Sequence, residues 1–301
     1  MRLLLTGGTG LLGWAILQRF PPHWECYVTV HRNALPALPA TIIPIAVDLT
    51  DPAQIQHLVE TVRPEVIVHT ASVGDLDIGQ ERQAEAWQIN VEGTRHLLMA
   101  SRPFNPYVIY CSTIYVFDGE HPPYREEDMP CPINFYGRTK LAAEHIAQEL
   151  CPQLLILRPT TTYGWHLPMQ RANWVTWLLK RLAQGQPVNV VNDVANNHLW
   201  VGDLVATVLA GVERRYCGIV HVGGLDTHTR YEFSLCIADI FGYEQNLLSP
   251  VDSNYFPTIA PRPRHAICAL TRLVNDLGIQ PLSAVAGLRR MLSERQASTR
   301  E

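Results

Sequence analysis

Thr6-Gly7-Gly8-Thr9-Gly10-Leu11-Leu12-Gly13 is the stretch that decides the fold. Before it, Arg2-Leu3-Leu4-Leu5-Thr6 is a short apolar run that reads as a buried strand. After it, Trp14-Ala15-Ile16-Leu17-Gln18-Arg19-Phe20 is a helical stretch closed by Pro21-Pro22. Strand, glycine turn and helix in that order are the setting in which such a motif binds a dinucleotide. Gly7 allows the tight turn, Gly10 lets the backbone approach a pyrophosphate, and Gly13 lets the helix pack on the strand. Free amides at the helix start then face the negative charge.

The next strand ends Tyr27-Val28-Thr29-Val30-His31-Arg32. An NAD site usually places an acid here, on the ribose hydroxyls. His31 and Arg32 stand there instead, and a guanidinium suits a 2′-phosphate. The expected cofactor is therefore NADP(H) in preference to NAD(H).

Further apolar runs follow at strand length: Thr41 to Val47, Pro64 to His69, Tyr107 to Cys111 and Leu154 to Arg158. Helical patterns separate them, among them a long one from Glu81 to Ala100 and another from Arg138 to Leu150. Alternation of this kind predicts an α/β fold, a doubly wound parallel sheet of Rossmann type, with ligands beyond the carboxyl ends of the strands. Gly7, Arg32, Asp48, Ala71, Thr113 and Arg158 all fall at or just past those ends. Residues 1–160 are expected to form most of the dinucleotide-binding domain. Residues 161–301 are expected to form most of a smaller α/β substrate lobe, with the chain crossing between the two.

Tyr136-Gly137-Arg138-Thr139-Lys140 puts a phenol and an ammonium four residues apart at the start of a helical pattern, on one helix face. A cation lowers the cost of ionising a phenol whose unperturbed pKa is about 10. The pair is thus a candidate for proton donation near neutral pH.

The second lobe is less legible. Asn173 to Leu182, Gly202 to Val212 and Arg230 to Phe241 read as helices. Trp174 and Trp177 are suited either to packing or to stacking on a base. Pro257 to Pro263 is a proline-rich extended loop, in which Arg262 or Arg264 is either a diphosphate clamp or part of a rigid surface. The formal net charge of −4 and pI near 6.3 carry no nucleic-acid footprint. The apolar runs are too short for a membrane span. Seven scattered cysteines without paired spacing, and Met1 leading straight into a strand, predict a cytoplasmic protein with reduced thiols. Twelve histidines show no zinc-type spacing, so no metal is expected.

Several blocks together resemble the extended short-chain dehydrogenase/reductases, and within them the dTDP-4-dehydrorhamnose reductase group. They are Thr6 to Gly13, Arg63 to His69, Ser112 to Gly119, Pro122 to Asp128, Asn134 to Glu144, Thr229 to Glu232 and Pro261 to Arg264. The chain is also similar to the regulatory beta subunit of methionine adenosyltransferase, of the same group. The resemblance implies a catalytic triad of Thr113, Tyr136 and Lys140. It implies hydride transfer to a sugar carbonyl, with hydroxyl donors aimed at the developing oxyanion. The cofactor contacts expected from motif and resemblance together are Gly7, Gly10, Leu11, Leu12, Gly13, His31, Arg32, Asp48, Leu49, Thr70, Ala71, Ser72, Asn90, Tyr136, Lys140 and Arg158.

The chain departs from the group's pattern where Ile114 replaces the Asp that often follows the Thr, and where Pro159-Thr160-Thr161-Thr162 follows Arg158 without the Trp some members carry there. Ile114-Tyr115 supplies no acid and base for water elimination, which argues against a 4,6-dehydratase; a 4-epimerase shares the triad and stays open. Two roles are therefore implied. One is NADPH-dependent reduction of a nucleotide-linked 4-keto sugar, with dTDP-4-dehydro-L-rhamnose as the leading substrate. The other is a cofactor-binding regulatory subunit that docks on a partner enzyme. A homodimer is compatible with either.

Overall fold

The computed structural model describes residues 1–31 and 33–298; the Arg32 site expected above lies outside the described residues. Seven strands form one all-parallel sheet. Across it the order is Ile42–Ala46, Glu25–Val30, Arg2–Thr6, Val66–His69, Tyr107–Cys111, Leu154–Pro159 and Gly218–Val222. The first six, β1 to β6 in chain order, run 3-2-1-4-5-6. The order reverses between β1 and β4, so a crevice opens there beyond the carboxyl ends. This is the doubly wound α/β fold expected.

Both sheet faces are buried because strand side chains alternate. Leu3 and Leu5 join one core with Ile16, Leu204 and Val208, while Leu4 joins the opposite core with Ile55, Leu97 and Ala147. The helix Val201–Arg214 and the edge strand Gly218–Val222 belong to this first layer system, although they lie late in the chain.

The pattern from Glu81 to Ala100 is not one helix. It is divided into Gln83–Trp87, a π-helical turn over Gln88–Glu92, and Gly93–Ser101. The wide turn carries Asn90, whose side chain leaves the helix surface to bond elsewhere. Such bulges are common where a helix serves a site. The predicted helices of the second lobe are present as Trp174–Leu182 and Arg230–Phe241. Asn173 caps the former, and a Thr229–Glu232 capping box starts the latter. They pack with Ala284–Ser298 around Tyr163, Leu178, Phe233 and Leu288. Short strand pairs, such as Val188–Val191 with Leu248–Val251, complete that lobe.

Candidate active site

The glycine loop is built as its residues require. Gly7 has φ +74°, and a Cβ there would meet Ala71 backbone at 2.8 Å. A Cβ on Gly13 would stand 2.2 Å from the Gly7 carbonyl oxygen, so only glycine lets the helix Leu11–Gln18 come this close. Gly10 caps that helix without a side-chain bond, leaving the first-turn amides for an anion. The loop lines a cavity of about 450 Å³ together with His31, Asp48, Leu49, Thr70, Ala71 and Ser72. His31 Nε2 lies 3.7 Å from Asp48 Oδ2 across it.

Behind the loop, β1 and β4 are held in register by a buried relay. The Thr6 hydroxyl accepts from the Thr70 and Ala71 amides at 3.2 and 3.3 Å and lies 2.6 Å from His69 Nδ1. Thr94 Oγ1 donates to the Asn90 carbonyl at 2.7 Å, so the 2.9 Å contact to His69 Nε2 uses the ring's proton. His69 is therefore the neutral Nε2–H tautomer. Burial, with Lys140 nearby, pushes its pKa down to about 3. Asn90 works similarly: Oδ1 accepts from Val73 N at 2.7 Å, and Nδ2 donates to Thr139 Oγ1 at 2.9 Å. It fixes the segment after Ser72 from behind the cavity wall.

A second cavity of about 650 Å³ shares Thr70 and Ser72 with the first. Leu11, Leu12, Cys111, Thr113, Tyr115 and Tyr136 also line it. Thr113 comes from the end of β5 and Tyr136 from the first turn of the helix Phe135–Leu150, whose cap is Asn134. Their side chains meet in the cleft, close enough for the Thr113 hydroxyl to favour the ionised phenol. Gly137 permits this approach, since a Cβ there would lie 2.2 Å from the Tyr115 carbonyl oxygen.

Lys140 lies one turn on, 2 % exposed, with Nζ 4.3 Å from the Tyr110 ring centre. Burial lowers its pKa to about 8, opposed by Cys111 and Glu144. Burial raises the Tyr136 phenol above its ordinary range, with Cys111 adding to the rise and Thr113 opposing it. The sequence predicted a phenol eased toward ionisation by the lysine. In the folded protein desolvation dominates both groups, and the ammonium sits over Tyr110. The arrangement holds a protonated phenol in the cleft.

Gly13, Asn90, Lys140 and Arg158 stand behind the cavity walls. Arg158 is 3 % exposed and bonds Glu144 with Nε at 3.0 Å and Nη2 at 2.7 Å. The structure gives it a place behind the crevice, because β6 ends beneath the Tyr136 helix.

A third cavity of about 450 Å³ continues from the second through Tyr115, Trp174, Trp177 and Arg230. Trp174 and Trp177 stack with centroids 5.0 Å apart, and the Arg230 guanidinium lies 4.8 Å over Trp174. Among the described residues no carboxylate pairs with Arg230, and burial lowers its pKa. Arg262 and Arg264 line the far wall. The sequence reading gave Arg230 and Tyr115 no role. The Thr229–Glu232 capping box marks the helix start that brings Arg230 here, but which cavity it faces depends on how the lobes pack. Among the described residues no cluster of three or more histidines, cysteines or carboxylates is placed to hold a metal, and no helix is long and apolar enough to cross a membrane.

The chain is 32% identical over 292 residues to methionine adenosyltransferase 2 subunit beta of Bos taurus, covering 92% of this chain and 83% of that protein. It is 27% identical to the dTDP-4-dehydrorhamnose reductase of Aggregatibacter actinomycetemcomitans, covering 93% and 94%. Its backbone superposes with a TM-score of 0.86 on the crystal structure of dTDP-4-dehydrorhamnose reductase from Bacillus anthracis str. Ames in complex with NADP, at 27% identity and 97% and 99% coverage. The family model described as the RmlD substrate binding domain matches residues 1–297, and the chain belongs to that family.

Proposed function

We propose that the protein is an NADPH-dependent reductase of a nucleotide-linked 4-keto sugar, with dTDP-4-dehydro-L-rhamnose as the leading substrate. The observation that carries this is the Thr113–Tyr136 pair, facing a cleft continuous with the glycine-loop cavity. The loop fits a dinucleotide: Gly7 and Gly13 leave no room for a Cβ, and the helix start leaves amides for a pyrophosphate. His31, Asp48 and Ala71 are the residues that would surround the adenosine half. The bound nicotinamide supplies a hydride. Thr113 and Tyr136 polarise the substrate carbonyl, and Tyr136 delivers the proton to its oxygen. Lys140 holds positive charge behind the phenol. Arg230, lacking a carboxylate partner beside the stacked Trp174, suits the diphosphate of a nucleotide sugar.

The 32% identity to methionine adenosyltransferase 2 subunit beta favours a second reading, a regulatory subunit that docks on a synthetase without turning over a sugar. A protein can retain the triad for cofactor binding alone. One experiment separates the readings: NADPH and dTDP-4-dehydrorhamnose are mixed with the protein and absorbance is followed at the nicotinamide band. Steady loss supports the reductase. NADPH binding without turnover, with co-purification of a synthetase, supports the regulator. Interconversion of a UDP-sugar at C4 without net NADPH loss would make the protein an epimerase.

A further inference from the structure

Lys140 and Lys180 are the two lysines of the chain. Lys140 is 2 % exposed, and a buried ammonium needs a counter-charge. The groups facing it can be named from each element packed against it. The Tyr136 helix presents Tyr136 and Glu144, β5 presents Tyr110 and Cys111, and β4 presents His69. Tyr110, Tyr136 and Cys111 are held protonated by burial, and His69 is neutral. Glu144 is the one carboxylate in the set. It is 1 % exposed and lies one helical turn beyond Lys140 on the same face.

Glu144 is also the hub of a buried network. Oε1 accepts a hydrogen bond from Ser112 Oγ, the residue before Thr113. Arg158 holds both carboxylate oxygens from β6, which orients the group. Arg158 Nη1 in turn lies 3.5 Å from His221 Nε2. His221 Nδ1 faces the Tyr124 carbonyl at 3.2 Å, so Nδ1 carries the ring proton and Nε2 accepts from the arginine. His221 is neutral, with its pKa pushed down to about 3 by burial and by Arg158. Arg158 grips both oxygens and Ser112 one of them, so the carboxylate cannot turn away.

We propose that Glu144 is a positioning residue of this site, clamping the end of β5 that carries Thr113 and keeping Lys140 charged. It touches neither cofactor nor substrate and acts through Ser112 and Lys140. The role rests on the reductase reading for the reaction it serves, whereas its test does not depend on turnover.

With two lysines, ¹³C labelling at the lysine side chain gives two signals, and Lys180 on an exposed helix face serves as internal reference. In the full-length protein the Lys140 signal should titrate near pH 8. Glu144→Gln, which keeps shape and removes charge, should lower that midpoint by about one pH unit or more. Glu144→Asp should hold it near the wild-type value. Hydrogen exchange of a peptide spanning 107–115 should rise in the Gln variant and much less in the Asp variant. A folded Gln variant whose Lys140 titrates as in wild type would overturn the proposal and leave Glu144 a packing residue. If Glu144→Gln does not fold, Ser112→Ala cuts the link to β5 and leaves the Glu144–Arg158 pair intact. Hydrogen exchange across 107–115 should then rise, and unchanged exchange would overturn the proposal.

Discussion

Arg262 Nη2 donates to Asp77 Oδ2 over 2.7 Å, joining the extended loop of the second lobe to the short helix Leu76–Glu81 of the first. Asp77 also accepts from Ala260 N at 3.0 Å, and Arg262 holds its carboxyl below the usual range. Two residues earlier, Asp75 caps the same helix and pairs with Arg171. Both arginines line the cleft, so one helix start ties the two lobes together at its mouth. These pairs are partly exposed and individually weak. Asp77→Asn should raise KM for the nucleotide sugar about two- to five-fold with kcat little changed, and a cycle with Arg262→Gln should give a coupling of about 0.5–1 kcal/mol. Strict additivity of the two substitutions would remove the latch from the account.

Tyr136→Phe keeps the ring and its packing and removes the proton that is delivered. Turnover should fall by about 10²- to 10⁴-fold, with NADPH affinity and melting temperature nearly unchanged. Thr113→Val should lower turnover without a comparable loss of cofactor binding. A Phe variant as active as wild type would refute the assignment of the proton donor.

NADPH should bind more tightly than NADH, since His31 and Arg32 stand where an NAD site carries an acid. Arg32→Ala should weaken NADPH far more than NADH, and Arg32→Asp should move preference toward NADH. Fluorescence titration of both cofactors decides this, and equal losses would place the 2′-phosphate elsewhere.

Lys140→Met should cost turnover and cofactor affinity yet stabilise the fold near neutral pH. The folded pKa of about 8 lies below the ordinary 10.5. The burial penalty is thus fully present below pH 8 and is relieved as pH rises toward 10.5, where the unfolded chain binds the extra proton. Denaturant unfolding should show the variant more stable by up to a few kcal/mol at pH 7, with the gap closing near pH 10. A gap that is constant with pH would mean the lysine is charged alike in both states.

Three buried histidines, His69, His198 and His221, each have a pKa pushed down to about 3, with burial as the main cause. Their neutral forms support stability above pH 6.5, and that support is lost as pH falls toward 3. Each contributes up to about 1.4 kcal/mol per pH unit in that window. Urea unfolding at pH 7, 6 and 5 should give a slope approaching three protons. His198→Leu, at a ring stacked 4.0 Å from Phe233, should remove one. A slope that the variant leaves unaltered would show His198 protonated in the native state.

The glycine loop, the parallel sheet and the Tyr136–Lys140 helix were legible in the sequence because each rests on local chemistry. A turn at positive φ needs Gly7, a close helix approach needs Gly13, and apolar runs of strand length separated by helices leave little choice but a covered parallel sheet. Thr113 was identifiable by resemblance, and its place beside Tyr136 follows from where β5 ends.

Other features depend on long-range placement that no short window encodes. Arg158 follows a strand end as a ligand-binding residue should, yet Glu144 from a different element captures it. Asn90 sits in what reads as a continuous helix, and only its bonds to Val73 and Thr139 account for the π-helical turn. Arg230 reaches the cleft because two lobes pack across it. The sequence by itself determined the sheet, the glycine cradle and the phenol–ammonium face, since backbone sterics and periodicity act over a few residues. The tertiary structure alone decided which buried charges pair, which cations remain for a ligand, and that burial holds the phenol protonated and eases the lysine toward neutrality, since desolvation and Coulomb energies depend on neighbours brought together from distant parts of the chain.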